Sequence, residues 1–175
     1  DSHGVDVILA AATSATREAR NGGDFLRRIE RDTGIRARVI SGQEEARLIY
    51  LAASYGVNIG RGRAVVIDIG GGSVEVVLGT ANAPHLSRSF KLGSIRLTER
   101  LVASDPITSR EERKIVKRIR AEVDRHCAQI AAAGFDVAIG TSGTILSLGA
   151  LAATGRGPLP SDLHHLQVTA KQIRR

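Results

Sequence analysis

Three successive glycines, Gly70 to Gly72, separate two apolar segments at residues 64–69 and 73–78. A short continuous apolar segment is typical of a buried strand, and a three-residue turn can join two strands only as an antiparallel pair. Further predicted strands alternate with predicted helices, of which the longest begins at Thr108 and ends at Gly134. The sequence therefore predicts an α/β fold with a mixed sheet and flanking helices rather than a purely parallel Rossmann sheet.

The hydrophobic pattern also predicts the remaining elements. Strands are predicted at residues 5–12, 35–40, 86–92 and 136–139, and helices at residues 13–20, 25–33, 41–55 and 144–153. The segment from Ser41 to Glu44 has the form of a capping box, in which the Glu44 carboxylate reaches back to the Ser41 amide. Cys127 falls on the apolar stripe of the long helix, which predicts a buried thiol.

The chain of 175 residues carries a formal net charge of +7 and has a pI near 10.5, which favours an anionic partner. Its basic residues are scattered along predicted helices, and only 3% of the residues are aromatic. Because single-stranded nucleic-acid sites combine basic and aromatic side chains, we expect no specific nucleic-acid binding. No segment is long and apolar enough to predict a membrane span, and the single cysteine fits a reducing, cytoplasmic setting.

Two carboxylates flank the glycine turn. Asp68 ends an apolar strand, where a carboxylate without a partner is costly, so we expect a cation near it. In the returning strand Ser73 and Glu75 share one face, because the side-chain period is two, and Glu75 comes close to Asp68. Two carboxylates beside glycine amides that can hold phosphate suit Mg²⁺. The alternative is a tight hairpin with Asp68 in a turn hydrogen bond and Glu75 in solvent.

Residues 140–143 form a predicted tight loop between a strand and the helix that begins at Thr144, and the GTSGT segment spans this junction. Unpaired amides at the start of a helix, together with the helix dipole, make an anion site. Threonine and serine at such a position also occur as simple helix caps, so this loop alone does not decide between the two roles.

Two further side chains are candidates for chemistry. Glu45 lies in the first turn of the helix that Ser41 begins and has no capping role, so it is free to act as a general base. Arg17 lies beyond the first predicted strand, where a planar guanidinium can clamp a phosphate. The alternatives are an exposed glutamate in a first helical turn and an exposed arginine.

These segments resemble the exopolyphosphatase/guanosine pentaphosphate phosphatase (Ppx/GppA) family. The segments that carry the resemblance are ATSATR at 12–17, SGQEEAR at 41–47, DIGGGSVE at 68–75, LGSIRLTER at 92–100 and GTSGT at 140–144. The resemblance spans nearly the whole chain and implies the actin-like (ribonuclease H-like) fold with an active site between two lobes. It implies that residues 1–56 are the C-terminal part of a first lobe, 57–63 a link and 64–175 a second lobe.

The resemblance also implies hydrolysis of the terminal phosphoanhydride of inorganic polyphosphate or guanosine pentaphosphate, with Mg²⁺ as the cofactor. By this match Glu45 is the catalytic base, and Asp68 and Glu75 are the carboxylates on the metal side. The phosphate-binding residues would be Arg17, Gly70, Gly71, Gly72, Ser73, Ser142, Gly143 and Thr144. The sequence does not decide between the two substrates. A non-catalytic phosphate- or nucleotide-binding module that regulates a partner stays open as a second class of function.

Two features of the sequence indicate that the first lobe is incomplete. The sequence lacks methionine, and the first phosphate loop of the family, an aspartate followed by Gly-Ser-Asn-Ser-like residues, has no match. We therefore expect a fragment with an incomplete first lobe, in which residues 64–153 are stable and residues 1 to about 55 are less stable or engaged in self-association, for example as a homodimer. We also expect weak or absent hydrolysis by these 175 residues alone.

Overall fold

The computed structural model describes residues 4–154 and 162–174. The strands in these ranges are β1 (Ala10–Ala12), β2 (Ala37–Val39), β3 (Arg63–Ile69), β4 (Val74–Thr80), β5 (Pro84–Phe90) and β6 (Val137–Thr141). The helices are α1 (Ser14–Glu18), α2 (Gly22–Thr33), α3 (Gly42–Gly56), α4 (Ser94–Leu101), α5 (Ser109–Ala133), α6 (Ser142–Thr154) and α7 (Ala170–Ile173). Over the same ranges, no helix combines the length and apolarity that crossing a membrane requires.

The larger sheet has the strand order β5-β4-β3-β6. The glycine turn joins β3 to β4 as an antiparallel pair, and β5 adds to β4 in the same sense. Strand β6 pairs with β3 in parallel. The predicted mixed α/β sheet is therefore confirmed, and its centre is the hairpin that the glycine turn dictates.

Helices cover both faces of this sheet, as the unbroken apolar sequence of β3 requires. One face contributes Val65 to a buried cluster that includes Ile130 of α5, and the other contributes Val66 to a cluster with Tyr50 of α3. Tyr50 is fully buried, and its hydroxyl donates a hydrogen bond to the Thr80 carbonyl (2.9 Å). Helix α3 is therefore fixed against the sheet face that carries the even-numbered residues of β3.

The predicted strand at residues 5–12 is wrong in its length and burial. Only β1 is extended into a ladder, pairing in parallel with β2 in a separate two-stranded sheet. Upstream of it Val7 and Leu9 are 72% and 93% exposed. An apolar segment is buried only where a second layer covers it, and within the described ranges no layer packs over these side chains. The predicted division into lobes stays a prediction.

The long helix α5 begins as predicted, with Thr108 and Glu111 forming a complete capping box. The predicted burial of Cys127 is wrong, because this thiol is exposed. The helix instead buries His126 and Ile130, which lie four residues apart on one face, and His126 Nε2 donates to the Val76 carbonyl (3.1 Å). The packed stripe is thus narrower than the hydrophobic pattern suggests, and a residue rotated by about 100° from its centre reaches solvent.

Candidate active site

Four polar residues form a row across the four-stranded sheet, one from each strand. The registers place Ser89 opposite Glu75, Glu75 opposite Asp68, and Asp68 opposite Thr141. Residues directly opposite in a sheet share a face, and this row lies on the face covered by α3. The row lies at the end of the sheet next to the glycine turn, beyond the apolar residues that β3 and β4 place on the same face.

A hydroxyl group holds each of the two central carboxylates. Thr141 Oγ1 donates to Asp68 Oδ2 and Ser89 Oγ donates to Glu75 Oε1, both at 2.6 Å. The partner of Asp68 in the described residues is thus a hydroxyl, where the sequence predicts a cation. Glu75 is only 1% exposed, so the alternative of a solvated Glu75 is wrong.

The surroundings of Glu75 disfavour its charged form. Burial raises the pKa of Glu75 above its ordinary value, and hydrogen bonds from Ser89 and Ser73 partly oppose this shift. The neighbouring charges of Glu45 and Asp68 raise the same pKa further. The carboxylates of this site therefore repel one another, and a cation placed between them would lower their electrostatic energy.

The glycine turn leaves backbone amides without acceptors. The Gly70 amide closes the turn by donating to the Ser73 carbonyl (3.1 Å). The amides of Gly71, Gly72 and Ser73 donate to no acceptor among the described residues. Successive amides of this kind form an anion-binding concavity.

Two close approaches fix the position of this turn. A Cβ atom on Gly72 would lie 2.8 Å from Ser14 Oγ, so glycine lets the turn pack against the start of α1. A Cβ atom on Gly93, just before α4, would overlap the Gly71 carbonyl group. The turn is therefore held between two helices, and neither contact leaves room for a side chain.

Glu45 reaches the row from the first turn of α3. A Cβ atom on Gly42 would lie 2.8 Å from the Ser89 side chain, so this glycine allows the helix to start against the sheet. Arg17 Nη1 donates to Glu45 Oε2 (3.1 Å) and to the Ile40 carbonyl (2.7 Å). The Glu45 side chain is 12% exposed, and its Oε1 atom has no hydrogen-bond partner in the described part of the chain.

The neighbouring glutamate behaves differently from the sequence prediction. The Ser41 hydroxyl accepts from the Glu44 amide (3.1 Å), as a capping box requires. The Glu44 carboxylate pairs with Arg38 (3.0 Å) instead of reaching the Ser41 amide. Only half of the predicted capping box forms, because Arg38 offers a charged partner to this exposed carboxylate.

The predicted loop at residues 140–143 is wrong, because β6 continues through Thr141 and α6 begins at Ser142 without an intervening loop. The chain turns from β6 into α6 at Ser142, whose φ is 74°. Thr144 Oγ1 donates to Ser94 Oγ (3.2 Å). Ser142 faces the cavity described below, whereas Gly143 and Thr144 do not line it.

These groups surround one cavity of about 570 Å³. The predicted site residues that line it are Glu45, Asp68, Gly70, Gly71, Gly72, Ser73, Glu75 and Ser142. Arg17 does not line it, and its guanidinium contacts the cavity wall at Glu45. The predicted roles of these residues stay predictions.

The cavity also contains residues to which sequence reasoning gives no role. They are Thr13, Ser14, Ala15, Ile95, Arg96, Glu99 and Arg100. All seven stand within the segments at 12–17 and 92–100 that carry the family resemblance, and those segments are the signal that could have found them. The Ser14 hydroxyl is buried without a hydrogen-bond partner, and Arg100 has no ion-pair partner within residues 4–154 and 162–174.

The family comparison and the relatives in sequence agree. The sequence profile described as the Ppx/GppA phosphatase family matches residues 1–174. Exopolyphosphatase 1 of Mycobacterium leprae is 37% identical over 158 residues, which cover 90% of this chain and 46% of that protein.

Solved structures give the same result for the fold. The Ppx/GppA family member of Aquifex aeolicus has a TM-score of 0.75 at 31% identity, and the match covers 97% of this chain and 54% of the Aquifex chain. An exopolyphosphatase from Cytophaga hutchinsonii has a TM-score of 0.78 at 30% identity, and the match covers 85% of this chain and 47% of that protein's chain. The chain spans about half the length of these relatives. These likenesses confirm the predicted α/β fold class as that of the Ppx/GppA family, whose resemblance implied the actin-like fold.

Proposed function

The chain belongs to the Ppx/GppA phosphatase family, and on this premise we propose that it hydrolyses the terminal phosphoanhydride of inorganic polyphosphate or guanosine pentaphosphate. One observation carries the proposal: the Glu45 carboxylate lines the same cavity as the unpaired amides of the glycine turn. A terminal phosphate held by those amides would lie beside a carboxylate that can accept a proton from water.

The glycine turn would bind the phosphate that is transferred. Amides of Gly71, Gly72 and Ser73 are hydrogen-bond donors without acceptors in the described residues, and they would bond to phosphate oxygens. Because these donors are fixed before the substrate arrives, they would also stabilise the charge that develops in the transition state. The Arg100 guanidinium would attract the remaining, strongly anionic part of the substrate.

Glu45 would act as the general base toward the attacking water. Arg17 occupies Oε2 of this carboxylate and leaves Oε1 for the water proton. The same ion pair, together with the bond from Arg17 to the Ile40 carbonyl, holds the carboxylate in one orientation. Correct orientation matters because displacement of a reacting group by about 1 Å can cost about 100-fold in rate.

Asp68 and Glu75 would hold Mg²⁺. They are directly opposite each other in the sheet, and Asp68 Oδ1 has no hydrogen-bond partner within the ranges described. No group of three or more possible metal-ligating side chains occurs in those ranges. The donor set nevertheless fits Mg²⁺, which is commonly bound by one or two carboxylates together with water and substrate phosphates. When bound, Mg²⁺ would neutralise negative charge on the phosphate oxygens.

The decisive experiment measures phosphate release from polyphosphate and from guanosine pentaphosphate by the full-length protein, with Mg²⁺ or with a chelator. We expect release that requires Mg²⁺ and that falls about 100-fold or more in Glu45→Gln, because a general base has been removed. The matched control is Glu44→Gln on the same helical turn, which should retain full activity because its carboxylate pairs with Arg38. Tight binding of both substrates without phosphate release would contradict hydrolysis and favour the regulatory binding module.

A further inference from the structure

The start of α4 holds all three carbonyl groups of the glycine turn from one side. The Ser94 amide donates to the Gly70 carbonyl and the Arg96 amide donates to the Gly71 carbonyl, both at 3.0 Å. The third carbonyl, that of Gly72, accepts from the Arg96 side chain through Nε at 2.7 Å. Two of the three donors are therefore backbone groups that any residue supplies, and the third depends on one particular side chain.

This arrangement determines the direction of the amides that follow. In a planar trans peptide the N–H group points opposite to the preceding carbonyl group. When α4 holds the three carbonyls, the next three amides are turned away from those donors. These are the amides of Gly71, Gly72 and Ser73, which have no acceptor among the described residues and line the cavity. The last of the three owes its direction to the arginine side chain.

The other end of this guanidinium is anchored in α1. Arg96 Nη1 donates to Glu18 Oε2 at 3.0 Å, and the arginine side chain is only 12% exposed. Glu18 lies at the end of α1, and the first residue of that helix, Ser14, packs against Gly72. Arg96 thus joins two walls of the cavity, whereas Glu18 itself does not line it.

We propose that Arg96 is a positioning residue which, held between the Gly72 carbonyl and Glu18, orients the Ser73 amide toward the phosphate. The inference rests on the proposed function for its phosphate. A planar guanidinium suits this position because Nε and Nη1 are two donors at a fixed separation. A lysine ammonium carries its three donors on a single rotatable nitrogen, so it does not fix two acceptors at the separation that Nε and Nη1 set.

The test combines substitutions at both ends of the contact. Arg96→Met removes the bond to Gly72, and we expect kcat/KM for polyphosphate to fall about 100-fold because the phosphate donors are misplaced. Glu18→Leu releases the far end of the guanidinium and should cost about tenfold, the usual effect of losing a charge-assisted hydrogen bond. The double variant should be no worse than Arg96→Met, because both substitutions break one chain of contacts.

Lys91 provides the matched control. Its Nζ atom pairs with the same glutamate (3.0 Å), but its side chain is 69% exposed and does not line the cavity. Lys91→Met should change kcat/KM by less than about twofold, as for a solvent-screened ion pair. Equal losses in Lys91→Met and Glu18→Leu would overturn the proposal, since the effect would then come from α1 alone. Unchanged or tighter substrate binding in Glu18→Leu at full kcat would also overturn it, because Arg96 would then be a direct ligand.

A second readout separates this proposal from the proposed function. Titration with inorganic phosphate should shift the backbone amide NMR signal of Ser73 in the unsubstituted protein and in Lys91→Met. In Arg96→Met the phosphate-induced shift of the Ser73 signal should be lost. The midpoint of thermal unfolding of this variant should stay close to that of the unsubstituted protein. This result would support positioning even if neither substrate released phosphate. An undiminished Ser73 shift in Arg96→Met would overturn the proposal even if hydrolysis were found.

Discussion

Asp68 and Glu75 are directly opposite each other on neighbouring strands, with their carboxylates on one face of the sheet. Like charges in this relationship destabilise a sheet. Each carboxylate has a hydroxyl partner on its outer side, Thr141 for Asp68 and Ser89 for Glu75. The row therefore has hydrogen-bond partners at its two ends and like charges at its centre, an arrangement consistent with the Mg²⁺ site proposed above.

The first prediction concerns the pH dependence of stability at Glu75. Burial raises the pKa of Glu75, so the folded protein holds this proton more tightly than the unfolded chain does. The stabilising contribution of Glu75 is complete below the ordinary pKa of glutamate and is lost as the pH rises through the raised folded-state value. Without divalent cations, Glu75→Gln should therefore be more stable than the unsubstituted protein at pH 7.

Urea unfolding checks this prediction. The stability gain of Glu75→Gln at pH 7 should disappear at about pH 3, which lies well below the ordinary glutamate pKa, because the carboxyl group is then protonated in both states. The exposed Glu112, which makes no ion pair among the described residues, is the control, and Glu112→Gln should show little change at either pH. A Glu75→Gln variant less stable than the original at pH 7 would contradict the prediction.

The second prediction concerns the arginine side chain that lines the cavity, Arg100. Arg100 lines the cavity without an ion-pair partner in the part of the chain that the structure describes. Arg100→Ala should raise KM about tenfold and leave kcat nearly unchanged, because a group that binds ground state and transition state equally affects only KM. The KM increase should shrink at high salt, where this attraction is screened. Arg110→Ala, on α5 and outside the cavity lining, should leave KM unchanged.

The fold and part of the site could be predicted because their signals are local. The apolar segments and the glycine turn specify the β3–β4 hairpin, and the hairpin brings Asp68 opposite Glu75. The hydroxyl partners could not be predicted in the same way. Thr141 is 73 residues from Asp68 in the sequence, and their contact depends on the long-range pairing of β6 with β3.

Other failures have the same physical origin. The lack of a capping role predicts Glu45 in the site, but its contact with Arg17 depends on where α3 packs. The exposure of Leu9 could not be inferred from its hydrophobicity, because burial depends on the layers that surround a segment. Arg96 is one of several arginines in the sequence, and only the approach of α4 to the glycine turn distinguishes it.

The third prediction concerns the start of α5. Glu111 accepts hydrogen bonds from Ser104 (2.6 Å), Thr108 (2.6 Å) and the Ala103 amide (2.7 Å), and these bonds lower its pKa to about 2. This contribution to stability is present above the ordinary glutamate pKa and is lost as the pH falls toward 2. Glu111→Ala should therefore lower the midpoint of thermal unfolding at pH 7.

The control for this prediction is the next residue. Glu112 follows Glu111 in the first turn of α5 and is exposed, so Glu112→Ala should change the midpoint far less at pH 7. The difference between Glu111→Ala and the unsubstituted protein should narrow as the pH is lowered toward 2. A loss of the same size at pH 7 and at pH 2 would show that Glu111 acts by packing rather than by charge.

The last prediction compares two glycines that lie outside the cavity lining, of which one packs against the glycine turn and the other does not. Gly93 packs against the Gly71 backbone, and because a Cβ atom there would overlap the glycine turn itself, Gly93→Ala should cost about 3 kcal/mol of stability and most of the activity. The family resemblance predicts that Gly143 binds phosphate, yet Gly143 lies inside α6 and outside the cavity lining, and a Cβ atom on it would meet no other atom within 4 Å. Gly143→Ala should therefore keep both its activity and its stability, because the added methyl group meets no neighbour and Gly143 lies in the first turn of α6. Urea unfolding and phosphate release, measured on both variants, check this contrast. Loss of activity in a stable Gly143→Ala variant would contradict the prediction and support a phosphate-binding role for Gly143.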